Sequence, residues 1–317
     1  MSENLPKLFT TQFSSLLKIN LQQSESMLRG RVMEGSHVGK QASPVQYVGP
    51  VQAKTPLGRF APLVPAVEDF SRRWVVPVDK DVGPSMIDTF DKLKTAIDPT
   101  SEYAAVHAAA VAREWDDRVI ASAFGAALLG DGNIGGTSGG VFTTENFNTG
   151  STVTGAGFQV PSTFGSTAAC GLTVQKMIEA KRALRKLQVP QSEPKTWVTN
   201  SQGESDLLNQ VQVVSTEFND RPVLTDGSVS RFLGFDIVYS ERLSSDGATR
   251  QNMAFVKSGL YLGLWMDMTT NVSQRFDITG LPYQIYTMMS SGATRLEPGR
   301  LLQVMCADGS AAADVTP

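Results

Sequence analysis

The sequence predicts an α+β protein: an N-terminal arm, an extended β-hairpin, one long helix, and a compact α/β region followed by returning strands. Three observations carry this. Apolar and polar residues alternate over 44–54 (PVQYVGPVQAK) and again over 70–80 (FSRRWVVPVDK), the period of strands. After them comes an Ala-rich stretch with apolar residues at helical spacing, reaching to about Leu129. From Thr173 onward, short helical patterns and short apolar runs alternate at the lengths of packed α/β elements.

Residues 1–35 read as an arm with short helical pieces; Phe9, Phe13, Leu16 and Leu17 recur at helical spacing and leave an apolar face to bury, on the chain's own core or on a neighbour. Residues 36–82 form the hairpin, with turn residues in TPLGRFAPLVP at its tip. Pro50 and Pro77 confine both strands to edge or isolated positions, because proline cannot donate to a ladder, and an isolated hairpin is marginal in water. Region 83–130 holds the long helix. Asp98 caps it, Pro99 suits its first position and Glu102 its positive end, and about 30 residues at 1.5 Å each give about 45 Å. Val111, Trp115 and Val119 lie on one face and Ile120, Phe124 and Ala127 on another, so the helix is expected to be sandwiched. Arg113 with Asp117, and Glu114 with Arg118, are spaced as i,i+4 pairs, though a solvated stripe is the favoured reading.

Residues 131–172 extend a stretch that, from Gly130, holds eleven glycines and only two charges, Asp131 and Glu145. Its isolated Phe142, Phe147, Phe158 and Phe164 argue for an extended loop ordered by contacts between subunits, since a flexible linker would be poorer in aromatics. In 173–250, TVQKMIEAKRALRKLQV is expected to bury Val174, Met177, Ile178, Leu184 and Leu187 and to stop before Pro190. The strand TWVT, a helix from Asn200–Ser201, and the strands RPVLT and SVSRFLGFDIVYS follow. Residues 251–317 supply returning strands: MAFVKSGLYLGLW, QRFDI, LPYQIYTMMSSGATRL and RLLQVMCAD.

The scarce residues exclude most chemistry. With 28 basic and 31 acidic side chains the chain is not a dedicated nucleic-acid binder, and no apolar run approaches a membrane span. The start, MSENLPKLFTTQF, lacks a signal-peptide pattern, so a cytosolic site of synthesis and residence is expected. Two histidines (His37 in a Gly/Ser loop, His107 in the long helix) and two cysteines (Cys170, Cys306) have no metal-ligand spacing, and no nucleophile–base set is evident. No metal, cofactor or catalytic site is therefore expected, and the cysteines are expected reduced and buried. Gly130-Asp131-Gly132-Asn133-Ile134-Gly135 spells GxGxxG, but a dinucleotide site needs a strand before it and a helix after it. The flanking pattern reads as helix before and irregular chain after.

This order of elements resembles the major capsid proteins of tailed bacteriophages with the HK97 fold. Four segments carry the likeness: MIDTFDKLKTAIDPTSEYAAVHAAAVAREWDDRVIASAFG (86–125), similar to the stretch entering the family's spine helix; SVSRFLGFDIVYSERL (228–243), similar to a strand of its axial domain; and MAFVKSGLYLGLWMDM with SSGATRLEPGRLLQVMC, similar to returning strands in which a Gly-Ala turn precedes the last. The resemblance implies an N-terminal arm, a hairpin acting as the E-loop, a peripheral domain around the spine helix and an axial domain over about 173–250. It implies a structural, non-catalytic subunit that assembles with itself into hexamers and pentamers of an icosahedral head enclosing double-stranded DNA, located in the virion and assembled in the host cytoplasm. The implied partners are a separate scaffolding protein (recognisable elements begin within the first 40 residues), a portal protein and a decoration protein. An encapsulin-type compartment is the nearest rival, and a tail or decoration protein a more distant one. Phe9, Phe13, Arg59, Arg72, Arg73 and Asp79 are the candidate inter-subunit contacts; Arg72 and Arg73 point to opposite faces of a strand, so one could meet a neighbour's carboxylate. Lys176, Lys181, Arg182, Arg185 and Lys186, opposed on their helix only by Glu179, are candidate lumenal, DNA-facing cations. A solvated face or a contact to an acidic neighbour is favoured over that role.

Overall fold

The apolar runs after Thr173 assemble into a six-stranded mixed sheet that organises the larger part of the chain. The structure, a computed structural model, describes residues 21–49, 51, 53, 70–88, 100–130, 143–210 and 229–308. Chain contacts divide it into two units: one of Met1–Ser26, Asp79–Glu114 and Met266–Met289, the other of Met27–Val78, Trp115–Trp265 and Ser290–Pro317. The expected cap Asp98–Pro99, the arm apolar residues, Phe142, Arg59 and the run RPVLT lie outside the described residues.

In the larger unit the strands β7 (Gln159–Val160), β8 (Lys195–Thr199), β9 (Arg231–Phe232), β10 (Phe235–Tyr239), β11 (Thr249–Val256) and β14 (Leu301–Ala307) form a sheet in the order β7-β14-β11-β8-β10-β9. β10 runs parallel to β8, which requires a crossover, and helix α3 (Ser201–Leu208) lies in that connection. α3 is capped by Asn200, whose side chain accepts from Gly203 N. Helix α2 (Val174–Lys186) begins at Thr173, which caps Lys176 N, and turns Val174, Met177, Ala180 and Leu184 into the core around Trp197, Phe235 and Val256. It ends in a Schellman motif: Gln188 takes φ +60°, Val189 N donates to Leu184 O and Gln188 N to Arg185 O. Ile178 and Leu187, expected to be buried, are exposed, because the inward face is completed by alanines and by Lys176 instead. The run expected as one strand over 228–240 is folded by a tight turn at Leu233–Gly234, both at positive φ, which pairs Phe232 with Phe235.

The hairpin forms between β2 (Ala42–Val48) and β3 (Phe70–Val75). It is not isolated. β3 also pairs with β5 (Ala127–Leu129), and β5 with β6 (Thr143–Glu145), giving the order β2-β3-β5-β6. The run expected over 70–80 breaks at Val76–Pro77, and β4 (Val78–Ile87) belongs to a different sheet, so proline terminates the strand rather than consigning it to an edge. The long helix, α1 (Thr100–Phe124), stops five residues earlier than expected. Ala127–Leu129 has helical composition, but the ladder positions offered by β3 and β6 claim it as a strand. A strand rather than a helix therefore precedes Gly130, while β6, not a helix, is the next described element, so the GxGxxG run still lacks its required context.

The fully buried Asp116 of α1 accepts from Met27 N and Leu28 N, and Arg29 stacks over Trp115 at 4.2 Å, so the segment before β1 (Met33–Ser36) is tied to the helix. Asp117 does not pair with Arg113 along the helix but holds Arg242. The Gly-rich stretch is ordered by its own chain: Phe147 packs edge-on against Phe124 at 5.3 Å and beside Phe158, both in the core around α1 and β11. These aromatics fill an intramolecular core, contrary to the expectation of inter-subunit contacts.

The smaller unit contains the first part of α1, β4 from Asp79, the far end of β12 (Leu260–Gln274) and the near end of β13 (Tyr283–Arg295), with β13 between β12 and β4; β1 pairs with the near end of β12, in the larger unit. QRFDI is not a strand of its own; Gln274 ends β12 and the rest belongs to the turn between β12 and β13. Gly292–Ala293 is no turn but lies within β13, where a Cβ on Gly292 would meet Val76 O at 2.4 Å. His107, as expected for a packing role, is buried, with Nε2 2.8 Å from Ser85 Oγ and Nδ1 3.3 Å from Thr287 Oγ1. Burial holds the pKa of His107 below its usual 6.5. The folded state therefore binds fewer protons than the unfolded one, and its stability falls as pH drops below that value. A lower melting temperature at pH 5 than at pH 7, with a shallower pH dependence for His107→Gln, is the expected result; identical profiles for the two proteins would exclude this role.

Candidate functional site

No group of three or more His, Cys, Asp or Glu side chains that could hold a metal ion occurs among the described residues. The candidate functional features are surfaces: the hairpin sheet and the outer face of α2. On β3, Arg72 and Arg73 do lie on opposite faces, and their fates differ. Arg72 is exposed, opposite Gln46 of β2. Arg73 is buried, and its guanidinium binds the Glu145 carboxylate of the same chain, two strands away on β6. Arg73 is thus corrected from an inter-subunit contact to an internal one, because β5 and β6 extend the sheet beside β3 and bring Glu145 within reach. Asp79, in β4, is exposed and remains available; Phe9, Phe13 and Arg59 lie outside the described residues.

On α2 the five cations separate in the same way. Lys176 has no solvent exposure, and its ammonium donates to Cys170 O at 2.7 Å and to Gly171 O and Met305 O at 3.0 Å each. Three donors meet three carbonyls, so a buried cation is fully hydrogen-bonded, and Lys176 is removed from the DNA-facing set. It shares the inward side of the helix with Thr173, Ala180 and Ala183, spaced three and four residues apart, which is the one signal that could have identified it. Arg182 is exposed but clasps Glu179, with Nη2 to Oε1 at 2.6 Å. That hydrogen bond and charge hold the Glu179 carboxyl below the usual range. Arg185 and Lys186 are exposed and Lys181 half-exposed. Lys195 stands near Lys181 and Arg185; its pKa is lowered chiefly by burial, opposed by the charge of Glu193 and helped by those two cations. The outer face of α2 is therefore electropositive, with one internal carboxylate.

Two further groups were invisible in sequence. Arg295 is fully buried; one terminal nitrogen donates to Ala123 O and Gly125 O at 2.9 Å, the other to Glu145 O at 3.0 Å. His37 closes β1, where its Nε2 lies 2.6 Å from the Tyr261 hydroxyl and its ring 5.2 Å from that of Trp265. Both cysteines are buried and free, and burial pushes the Cys306 thiol up to about 12, partly offset by Lys176.

The family model described as "Phage capsid protein" matches residues 5–308. Among solved structures, the capsid of Cyanophage P-SCSP1u is similar at TM-score 0.70 and 15% identity, covering 98% of this chain and 96% of that one. The capsid of Cyanophage Pam1 gives 0.67 at 11%, covering 97% and 98%. The capsid of the native GTA particle gives 0.65 at 12%, covering 95% and 96%. These likenesses establish the fold, the HK97-like capsid architecture. No curated protein sequence matches the chain.

Lys176→Met is expected to cost about 3 kcal/mol in urea unfolding, because three carbonyls lose their donor; unchanged stability would contradict the assignment. At pH 8 both cysteines should resist aromatic disulfide reagents until denaturant is added, since an unfolded thiol titrates near about 8.5. A native Cys306 that reacts at the rate of a free thiol would disprove its burial.

Proposed function

The chain belongs to the phage capsid protein family, and on that premise we propose that it is the non-catalytic subunit of an icosahedral head enclosing double-stranded DNA. Shell formation as a structural role follows from the family; the particular shell is our reading. Copies associate head-to-tail into pentamers and hexamers, since contacts of that type close into rings. Many modest contacts then add through multivalency to a stable shell. The observation that carries this reading is the match along nearly the whole chain, from residue 5 to 308.

Within the shell, the hairpin face with exposed Arg72, the exposed Asp79, and Phe9, Phe13 and Arg59 of the arm and hairpin tip make contacts to neighbours. Lys181, Arg185 and Lys186, with Arg182 largely neutralised by Glu179, offer packaged DNA weak, sequence-independent and salt-sensitive contacts. A separate scaffolding protein, a portal, a decoration protein and assembly in the host cytoplasm complete the proposal.

Negative-stain microscopy of the full chain, expressed alone and with its neighbouring genes, tests this. Closed shells are expected, large and with one portal vertex in the co-expressed sample; small cages around a cargo enzyme would favour an encapsulin-type compartment, and a persistent monomer would overturn shell formation. Arg72→Glu is expected to reduce particle yield with an unchanged melting temperature. Arg73→Glu should instead destabilise the subunit itself, by about 3 kcal/mol, because it opposes the buried pair partner Glu145.

A further inference from the structure

The far end of β12 presents an unguarded sheet edge. β1 pairs with β12 only from Tyr261 to Leu264, and His37 N donates to Leu264 O where the pairing ends. Beyond that point β13 lies on one side of β12, and among the described residues no strand lies on the other. Residues 266–273 are exposed without interruption. Because a residue's N–H and C=O point to the same side of a strand and alternate along it, the outward groups continue from Leu264 to Met266, Met268, Thr270 and Val272. Met268 N has been met by the neighbouring Asp267 carboxylate, at 2.9 Å.

Long exposed edges are normally blunted with charge and proline. The opposite edge of this sheet is: β4 carries Asp79, Lys80, Asp81 and Pro84. The β12 edge, MDMTTNVSQ, carries one charge and no proline, and Met266, Met268 and Val272 stand in one row, each at least 40% exposed. An edge left open beside a guarded one is an edge meant to be paired.

We infer that residues 266–274 pair antiparallel with the same residues of a second copy across a two-fold axis at Thr270. The inference rests on the shell-forming role. The central part of the sequence is self-complementary in this register: Met268 falls opposite Val272, Thr269 opposite Asn271, Asp267 opposite Ser273, and Thr270 opposite itself. At the centre apolar meets apolar and polar meets polar, Met266 falls opposite Gln274 only at the two ends, and the two carboxylates stay apart. The even-numbered residues, whose peptide groups point outward, become the hydrogen-bonded pairs, as the geometry of an antiparallel ladder requires. The contact is isologous, so it joins subunits pairwise and complements the ring-forming head-to-tail contacts.

Thr270→Cys tests the axis directly. In a hydrogen-bonded antiparallel pair the facing Cα atoms are about 5.5 Å apart, within disulfide reach, and the native Cys170 and Cys306 are buried. Particles assembled from Thr270→Cys alone and oxidised should run mostly as disulfide dimers on a non-reducing gel, while Val38→Cys, at another exposed site, stays monomeric. Val272→Pro removes an outward N–H without touching the β13 side; it should keep the wild-type circular dichroism and lower particle yield about tenfold or more. Particles that form normally from Val272→Pro, or Thr270→Cys particles without dimers, overturn the pairing and leave the shell role standing. Dimers that form only when another polypeptide is co-assembled also overturn it. Wild-type chain that forms no particle overturns the shell role, and the pairing with it.

Discussion

The guanidinium of Arg295 is the point on which the larger unit is hung. A helix leaves its last carbonyls without partners, and at the end of α1, where Ala123 is buried and Gly125 half-buried, a side chain of the protein supplies the donors. Arg295, reaching from β13, donates to Ala123 O and Gly125 O at that end and to Glu145 O on β6, and lies over the Phe147 ring at 5.3 Å. One fork thus fixes where the long helix stops, where β5 begins and how the Gly-rich stretch returns. Burial lowers its pKa, with Arg73 adding to that and Glu145 opposing it. At any ordinary pH it is nevertheless a cation and a full set of donors. Glu145 in turn receives Arg73, so the hairpin sheet is referred to the same anchor.

Other buried polar groups are satisfied in the same way. The ammonium of Lys176 satisfies three carbonyls beside Cys306, Asp116 receives the backbone of Met27 and Leu28, and Asn200 and Thr173 cap their helices. Among the described residues, open sheet edges remain at the outer side of β2 and along 266–274, where Met268 N alone is met by Asp267, and the outer face of α2 stays cationic. A protein whose core is closed and whose sheet edges are open is suited to associate with copies of itself without refolding.

Much of this was legible in the sequence. The helix of 100–124, the hairpin, the α/β order after Thr173 and the fold class all follow from periodicity, because each depends on neighbours within a few turns or one hairpin. The residues that changed role were those whose environment is completed by chain that folds back on them, from a few residues away or from more than a hundred. Arg73 and Lys176 read as surface charge because a cation looks alike in sequence whether solvent or a carbonyl receives it. The carbonyls and carboxylate that receive them come from Cys170, Gly171, Met305 and Glu145. Ala127–Leu129 read as helix because propensity favours it, and the ladder that overrides propensity is supplied by β3, more than 50 residues earlier. Arg295 gave no signal at all, lying between a threonine and a leucine in an ordinary strand.

The anchor can be tested by hydrogen exchange on Arg295→Met, a change that keeps the bulk and removes every donor. If Arg295 holds the helix end and the Gly-rich return together, residues 121–129 and 143–147 should lose amide protection in concert, and the subunit should lose about 4 kcal/mol, the scale for breaking a buried charged network. Wild-type protection across both stretches, with unchanged stability, would contradict it.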